Sequence, residues 1–140
     1  MKKVFLDTNV LLDFLLDREP FSNEIAEIIQ ESINETIQLC VSSITITSAN
    51  YIISRSEGVN AANRKTAKIL KLVSVENVGQ STVQKSSNSE FKDFVDGVQN
   101  YCAVEAKHEL IVTRNVKDFK QSELAIMTPT EFIAKIKTMN

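Results

Sequence analysis

The sequence predicts an α/β fold, a three-layer α/β/α sandwich around a central, mainly parallel sheet. Three observations carry that expectation. Short apolar runs of four to six residues alternate with longer segments of helical periodicity, and several of the runs end directly on a polar, helix-capping residue. The third observation is size. With 140 residues, 43% hydrophobic and 24% charged, the chain suits one domain with a proper core, taken as residues 1–140. Three glycines and two prolines leave little material for linkers.

The first run, Lys3-Val4-Phe5-Leu6, is apolar throughout, as a strand buried on both faces must be, and it stops at Asp7. Asp7, Thr8 and Asn9 can each cap the helix predicted from Val10 to Leu16, which Pro20 helps to end. Ile25, Ile28 and Ile29 recur at helical spacing within Ser22 to Ile33, with Glu24, Glu27 and Glu31 between them. Gln38 to Ser42 reads as the second strand and Thr45 to Ser54 as a helix despite its β-branched content. Asn60 to Leu72 reads as an amphipathic helix, Val73 to Val78 as the third strand, and Gln80 to Ser89 as a short polar helix or loop. Glu90 to Ala106 is the next expected helix, with Phe94, Val98, Tyr101 and Cys102 on one side. Glu109 to Thr113 is the fourth strand, followed by a polar turn from Arg114 to Asp118. Ala125 to Met127 is a last strand, and Pro129 opens a final helix capped by Thr128.

Composition excludes several function classes. The formal net charge is −2, so no polycationic field draws the whole molecule to nucleic acid, and such contact must be local or helped by a cation. The longest apolar stretch contains Asp13, so no membrane span and no membrane partner are expected, and the N-terminal residues lack the pattern of a signal peptide. Cys40 and Cys102 read as reduced, buried thiols with no Cys or His at metal-ligand spacing, and the single His108 reads as structural. The expected compartment is the cytoplasm.

Ligands of parallel sheets bind outside the carboxyl ends of the strands. Asp7 ends the first strand, Asn115 and Asp118 follow the fourth, and Asp93 and Asp96 stand one helical turn apart at the start of a helix. If the first and fourth strands are neighbours, these groups converge. Carboxylates packed together repel unless protonated or bound to a cation, and oxygen-only donors suit Mg²⁺ or Mn²⁺. Each aspartate also has a plain structural reading: Asp7 as a helix cap, Asp96 as a solvated helix residue, Asp118 as a turn residue, Asp13 as an exposed or salt-bridged residue.

Three stretches in order resemble a known family. Lys3-Val4-Phe5-Leu6-Asp7-Thr8-Asn9-Val10-Leu11-Leu12-Asp13 is similar to the opening of PIN-domain proteins. Asp93-Phe94-Val95-Asp96-Gly97-Val98-Gln99 resembles their second acidic stretch, and Ile111-Val112-Thr113-Arg114-Asn115-Val116-Lys117-Asp118-Phe119 their third. The closing Met127-Thr128-Pro129-Thr130-Glu131-Phe132 resembles the VapC-like toxin branch of type II toxin–antitoxin systems. The resemblance implies a metal-dependent endoribonuclease acting on single-stranded RNA, inhibited by a small antitoxin protein and forming homodimers. Its catalytic and metal-holding acids would be Asp7, Asp96 and Asp118, with Mg²⁺ or Mn²⁺ as cofactor. Thr8, Asn9, Ser48, Asp93, Thr113 and Asn115 would support them, with Asp13 auxiliary.

Two departures weaken that implied site. Ser48 stands where the family usually has a glutamate, and Asn115 where it often has an aspartate; neither brings negative charge. Val95 also replaces a common acid. The alternative reading is a PIN-like module of reduced or lost activity that binds RNA or a protein partner. A phosphatase working through Asp7 is disfavoured, because Asn9 stands where such enzymes need a second aspartate. RNA would approach over Arg114, Lys117 and Lys120, or over Arg64, Lys68 and Lys71.

Overall fold

The computed structural model describes residues 2–139. Its elements in chain order are β1 (Lys2–Leu6), α1 (Thr8–Leu15), α2 (Ser22–Ile33), β2 (Ile37–Ser42), α3 (Ser43–Glu57), α4 (Val59–Ile69), β3 (Ser74–Glu76) and α5 (Gln80–Ser87). They continue with α6 (Phe94–Glu105), β4 (Leu110–Val112), a 3₁₀ turn (Val116–Phe119), β5 (Ala125–Met127) and α7 (Pro129–Met139). The strands form one parallel sheet in the order β3-β2-β1-β4-β5. The predicted class and the order of elements are those observed.

Period-two alternation explains both faces of β1. Val4 and Leu6 point to one side, where Leu39, Val41, Leu110 and Val112 join them against α1, α2 and α7 through Val10, Leu11, Ile25, Ile28 and Phe132. Phe5 points to the other side and packs with Ile111, Cys102, Ala103, Phe91 and Phe119 beneath α6. A smaller apolar cluster, Leu12, Ala49, Ile53 and Ala62, joins α1, α3 and α4. Among the described residues no helix is long and apolar enough to cross a membrane.

Local chemistry shifts several predicted boundaries. The helix expected from Glu90 begins only at Phe94, because the Asp93 side chain accepts a hydrogen bond from the Asp96 amide (3.0 Å) and caps it. The helix expected to reach Leu72 ends at Ile69, and the third strand is reduced to Ser74–Glu76, the three residues that pair with Cys40, Val41 and Ser42. Gln80–Ser87 is helix rather than loop. It is tied to α6 by Ser81 and Thr82, whose hydroxyls donate to Glu105 at 2.6 and 2.5 Å and, with Lys85, hold that carboxyl down to about 2. Gly97 permits the close approach: a Cβ there would lie 2.2 Å from Ser86 Oγ, which itself donates to the Phe94 carbonyl at 2.8 Å.

The strand order places β1 beside both β2 and β4. Chain progression therefore reverses between β1 and β4, and the crevice that opens at such a reversal is where parallel sheets take their ligands. Asp7 directly follows one of those two strands and Thr113 the other.

Candidate functional site: a carboxylate cluster at the strand ends

Asp7 is 5% exposed and continues the alternation of β1, on the same side as Phe5 and facing α6. Its backbone N–H donates to the Val112 carbonyl (3.0 Å), which fixes it at the β1–β4 junction. Its carboxylate accepts from the Thr8 amide (2.9 Å) through Oδ1 and from the Thr113 hydroxyl (2.9 Å) through Oδ2. Gln99 Nε2 approaches Oδ1 at 3.4 Å. Every one of these donors is neutral. Burial is the dominant effect on Asp7 and raises its pKa, against smaller lowering contributions from Thr113, Thr8, Gln99 and the more distant Arg114.

Asp96 stands in the first turn of α6, half-buried, and its pKa is pushed up to about 7. Desolvation comes first, followed by the charges of Asp7, Asp93 and Asp118. The four aspartates thus share one electrostatic neighbourhood. A cleft of about 400 Å³ brings together Asp93, Asp96 and Asp118 with Lys92, Lys117, Lys120 and Gln121. Asp118 is exposed on the 3₁₀ turn, while Asp7 is buried and does not itself line the cleft.

The other expected residues divide into those that join the cluster and those that do not. Thr113 is fully buried and relays a short chain: the Asn115 amide donates to its Oγ1 (3.1 Å), and that hydroxyl donates to Asp7. Asn115 therefore joins through its backbone. Thr8 joins through its amide and through a hydroxyl contact with Thr45 (2.8 Å). Asn9 and Ser48 are half-buried, and neither makes a side-chain hydrogen bond to the cluster. Ser48 lies one turn beyond Thr45 on α3, so it shares the face of that helix that reaches Thr8.

Sequence reasoning missed the network beneath Asp7. Gln99 is 1% exposed; its Nε2 donates to Thr45 Oγ1 (2.8 Å) and Thr8 Oγ1 (3.1 Å), and its Oε1 accepts from Ser42. Ser42 also caps α3 by accepting from the Thr45 amide at 3.0 Å. A legible signal existed: Gln99 is three residues after Asp96 on the same helical face, and Ser42 precedes a helix start at capping distance from Thr45.

Asp13 is the salt-bridged residue of its plain structural reading, and one basic assignment changes. Asp13 is 1% exposed and clamped by Arg114, with Nε to Oδ2 at 2.7 Å and a second bond of 3.2 Å, and by Arg18 at 3.6 Å. Arg114 also lies 4.0 Å over the Phe21 ring. That pair is a fixed strut between α1, α2 and the loop after β4, so Arg114 is not free to receive a substrate as the sequence suggested. Lys117 and Lys120 do line the cleft.

A buried acid at a sheet-end crevice, beside three further aspartates and held by neutral donors only, defines an α/β fold with an acidic centre built from β1, α6 and the loop after β4. The PIN-domain family model matches residues 3–117, and the chain belongs to that family. It is 26% identical over 145 residues to the ribonuclease VapC1 of Aquifex aeolicus, covering 99% of this chain and 98% of that protein. Among solved structures, a DNA-bound VapBC from Salmonella typhimurium matches with a TM-score of 0.69 at 18% identity, over 92% of this chain and 99% of that one. A toxin–antitoxin complex from Klebsiella pneumoniae matches with a TM-score of 0.68 at 23% identity, over 90% and 97%.

Proposed function

We propose that this chain is a VapC-like endoribonuclease, the toxin component of a type II toxin–antitoxin system, hydrolysing phosphodiesters of single-stranded RNA. The observation that carries the reading is Asp7: a buried carboxylate whose hydrogen-bond donors among the described residues are all neutral, and which acts with Asp93 and Asp118 to raise the pKa of Asp96. The family membership, the relative named as a ribonuclease and the fold shared with toxin–antitoxin complexes support it.

The donor set fits a hard divalent cation. All candidate ligands are carboxylate oxygens, and the pKa of Asp96 is pushed up to about 7 first by burial and then by neighbouring carboxylates whose charge a cation would offset. Asp7, Asp96 and Asp118 would hold Mg²⁺ or Mn²⁺, with Asp93, Thr8, Asn9, Ser48, Thr113 and Asn115 in support. When bound, such an ion supplies a more acidic water and charge stabilisation at the phosphodiester. The chain's own part is to fix and aim the ligands. Thr113 and Thr8 fix the two oxygens of Asp7, Gln99 ties α6 to the ends of β1 and β2, and Lys92, Lys117 and Lys120 draw the RNA backbone to an otherwise acidic cleft. Cytoplasmic residence, homodimers and an antitoxin partner belong to the same reading.

Ser48 and Asn115, neutral where acids are usual, favour weaker ion binding than a fuller carboxylate set would give, and motivate the second reading of a binding module. Cleavage of a mixed single-stranded RNA pool with Mg²⁺, Mn²⁺ or EDTA separates the two. We expect ion-dependent cleavage that falls about 100-fold or more in Asp7→Asn. RNA bound by well-folded protein with no ion-dependent turnover would select the binding module instead.

A further inference from the structure

A second cluster lies under the same helix and shares no residue with the acidic centre. Cys40 on β2, Glu76 at the end of β3 and His108 just before β4 each present a donor atom within 4.8 Å of the others. Cys40 and His108 are buried, and the Glu76 side chain is 20% exposed. His108 Nε2 meets Glu76 Oε2 at 2.5 Å, and Phe5 packs edge-on against the imidazole with centroids 5.4 Å apart. The other ring nitrogen, Nδ1, is buried and has no hydrogen-bond partner among the described residues. Asp96 lies in the first turn of α6 and His108 three residues past its last, so the two clusters sit at opposite ends of a helix whose 12 residues span roughly 18 Å.

We propose that Cys40, Glu76 and His108 form a binding site for a borderline-soft divalent ion of the Zn²⁺ class. A thiolate, an imidazole and one carboxylate are the donor types that such ions take, whereas Mg²⁺ and Mn²⁺ prefer oxygen alone. The imidazole is ready as a neutral ligand, since burial lowers its pKa. The Cys40 thiol is protonated without an ion, held up at about 11 by burial and by Glu76, and binding releases that proton to solvent. In a tetrahedral site with bonds of about 2.0–2.1 Å, neighbouring donors stand roughly 3.3 Å apart. The His108–Glu76 contact must therefore open by under an ångström, which the partly exposed Glu76 can do by withdrawing toward solvent. Its edge of the site is also where a water can complete the coordination.

Lys3 accounts for the ion-free form. Its ammonium is 3.7 Å from Glu76 Oε2 and donates to the Ala106 carbonyl at 3.1 Å. It balances Glu76 when no ion is present and keeps the carbonyl when one is. An ion there would staple β2, β3 and the α6–β4 junction. That role does not depend on RNA cleavage and stands apart from the acidic centre.

Co²⁺ added to the metal-free full-length chain is the test, because thiolate ligation gives a charge-transfer absorption band that oxygen ligands do not. We expect the band in wild type, its displacement by Zn²⁺, its loss in Cys40→Ser, and Co²⁺ affinity lower by roughly tenfold or more in Glu76→Gln. The partly exposed Glu76→Gln variant keeps the test valid should Cys40→Ser fold poorly. Asp7→Asn is expected to leave the band unchanged. Absence of the band from folded wild type, its survival in folded Cys40→Ser, an unchanged affinity in Glu76→Gln, or its loss in Asp7→Asn would each overturn the assignment.

Discussion

Asp7 and Asp13 stand six residues apart on one segment, both nearly inaccessible to water, and the molecule treats them in opposite ways. Asp13 receives a two-pronged guanidinium from Arg114 and a second cation from Arg18, so its charge is balanced within the fold. Asp7 receives a backbone amide, a hydroxyl and an amide side chain, so its hydrogen bonds are satisfied while its charge is not. Hydrogen bonding and charge balance are separate requirements. Where the first is met without the second, beside other carboxylates, an external cation would supply the missing balance in the function proposed above.

The sharpest way to break the comparison is to exchange the consequences. Asp7→Asn keeps shape and most hydrogen bonds and removes one charge, so it should abolish ion-dependent RNA cleavage while leaving the urea midpoint at or above that of wild type. A large loss of stability there would place Asp7 with Asp13 among the structural acids. Arg114→Ala should do the reverse: leaving Asp13 buried with only the more distant Arg18, it should destabilise the protein by about 3 kcal/mol in urea unfolding.

Asp96 sharpens the contrast through pH. Its carboxyl ionises near 7 in the fold against 3.8 for the ordinary group, so the folded chain binds the extra proton between those values. Stability of the ion-free protein should therefore fall as pH rises from about 4 to about 7 and level off above. Asp96→Asn should flatten that slope and raise the ion-free melting temperature at pH 8 by roughly 3–5 °C, the equivalent of about 1 kcal/mol. A slope equal to that of wild type would mean that Asp96 is not the group responsible. The smallest effect expected is a gain. Ser48→Glu adds a carboxylate on the α3 face that reaches Thr8, and should tighten Mn²⁺ binding by a few-fold, measured by calorimetry.

The residues that were legible in the sequence explain why others were not. Val4, Phe5 and Leu6 followed by Asp7 announce a buried strand ending in a cap, because burial on both faces and a capping side chain are local properties. The ordered acids Asp7, Asp96 and Asp118 could likewise be picked out, since strand ends and helix starts have sequence signals. Partnership is not local. That Arg114 would close on Asp13, 101 residues away, or that Gln99 would bridge Thr8 and Thr45, depends on β1 lying between β2 and β4 with α6 above them. The same topology places Cys40 and His108, 68 positions apart in the chain, on Glu76 from an edge strand, where spacing alone indicated no site. Helix starts at Phe94 and Ser43 were misjudged by a few residues because Asp93 and Ser42 act as caps, a choice that side-chain geometry makes.

The most direct test of an uncompensated charge is to count what it binds. Mn²⁺ titrated into the ion-free chain at pH 8, where Asp96 is ionised, and followed by electron paramagnetic resonance should bind at the acidic centre in wild type and in Cys40→Ser, and lose that binding in Asp7→Asn. Equal Mn²⁺ binding by Asp7→Asn and wild type would contradict the claim that Asp7 is where the fold leaves its charge for a metal to balance.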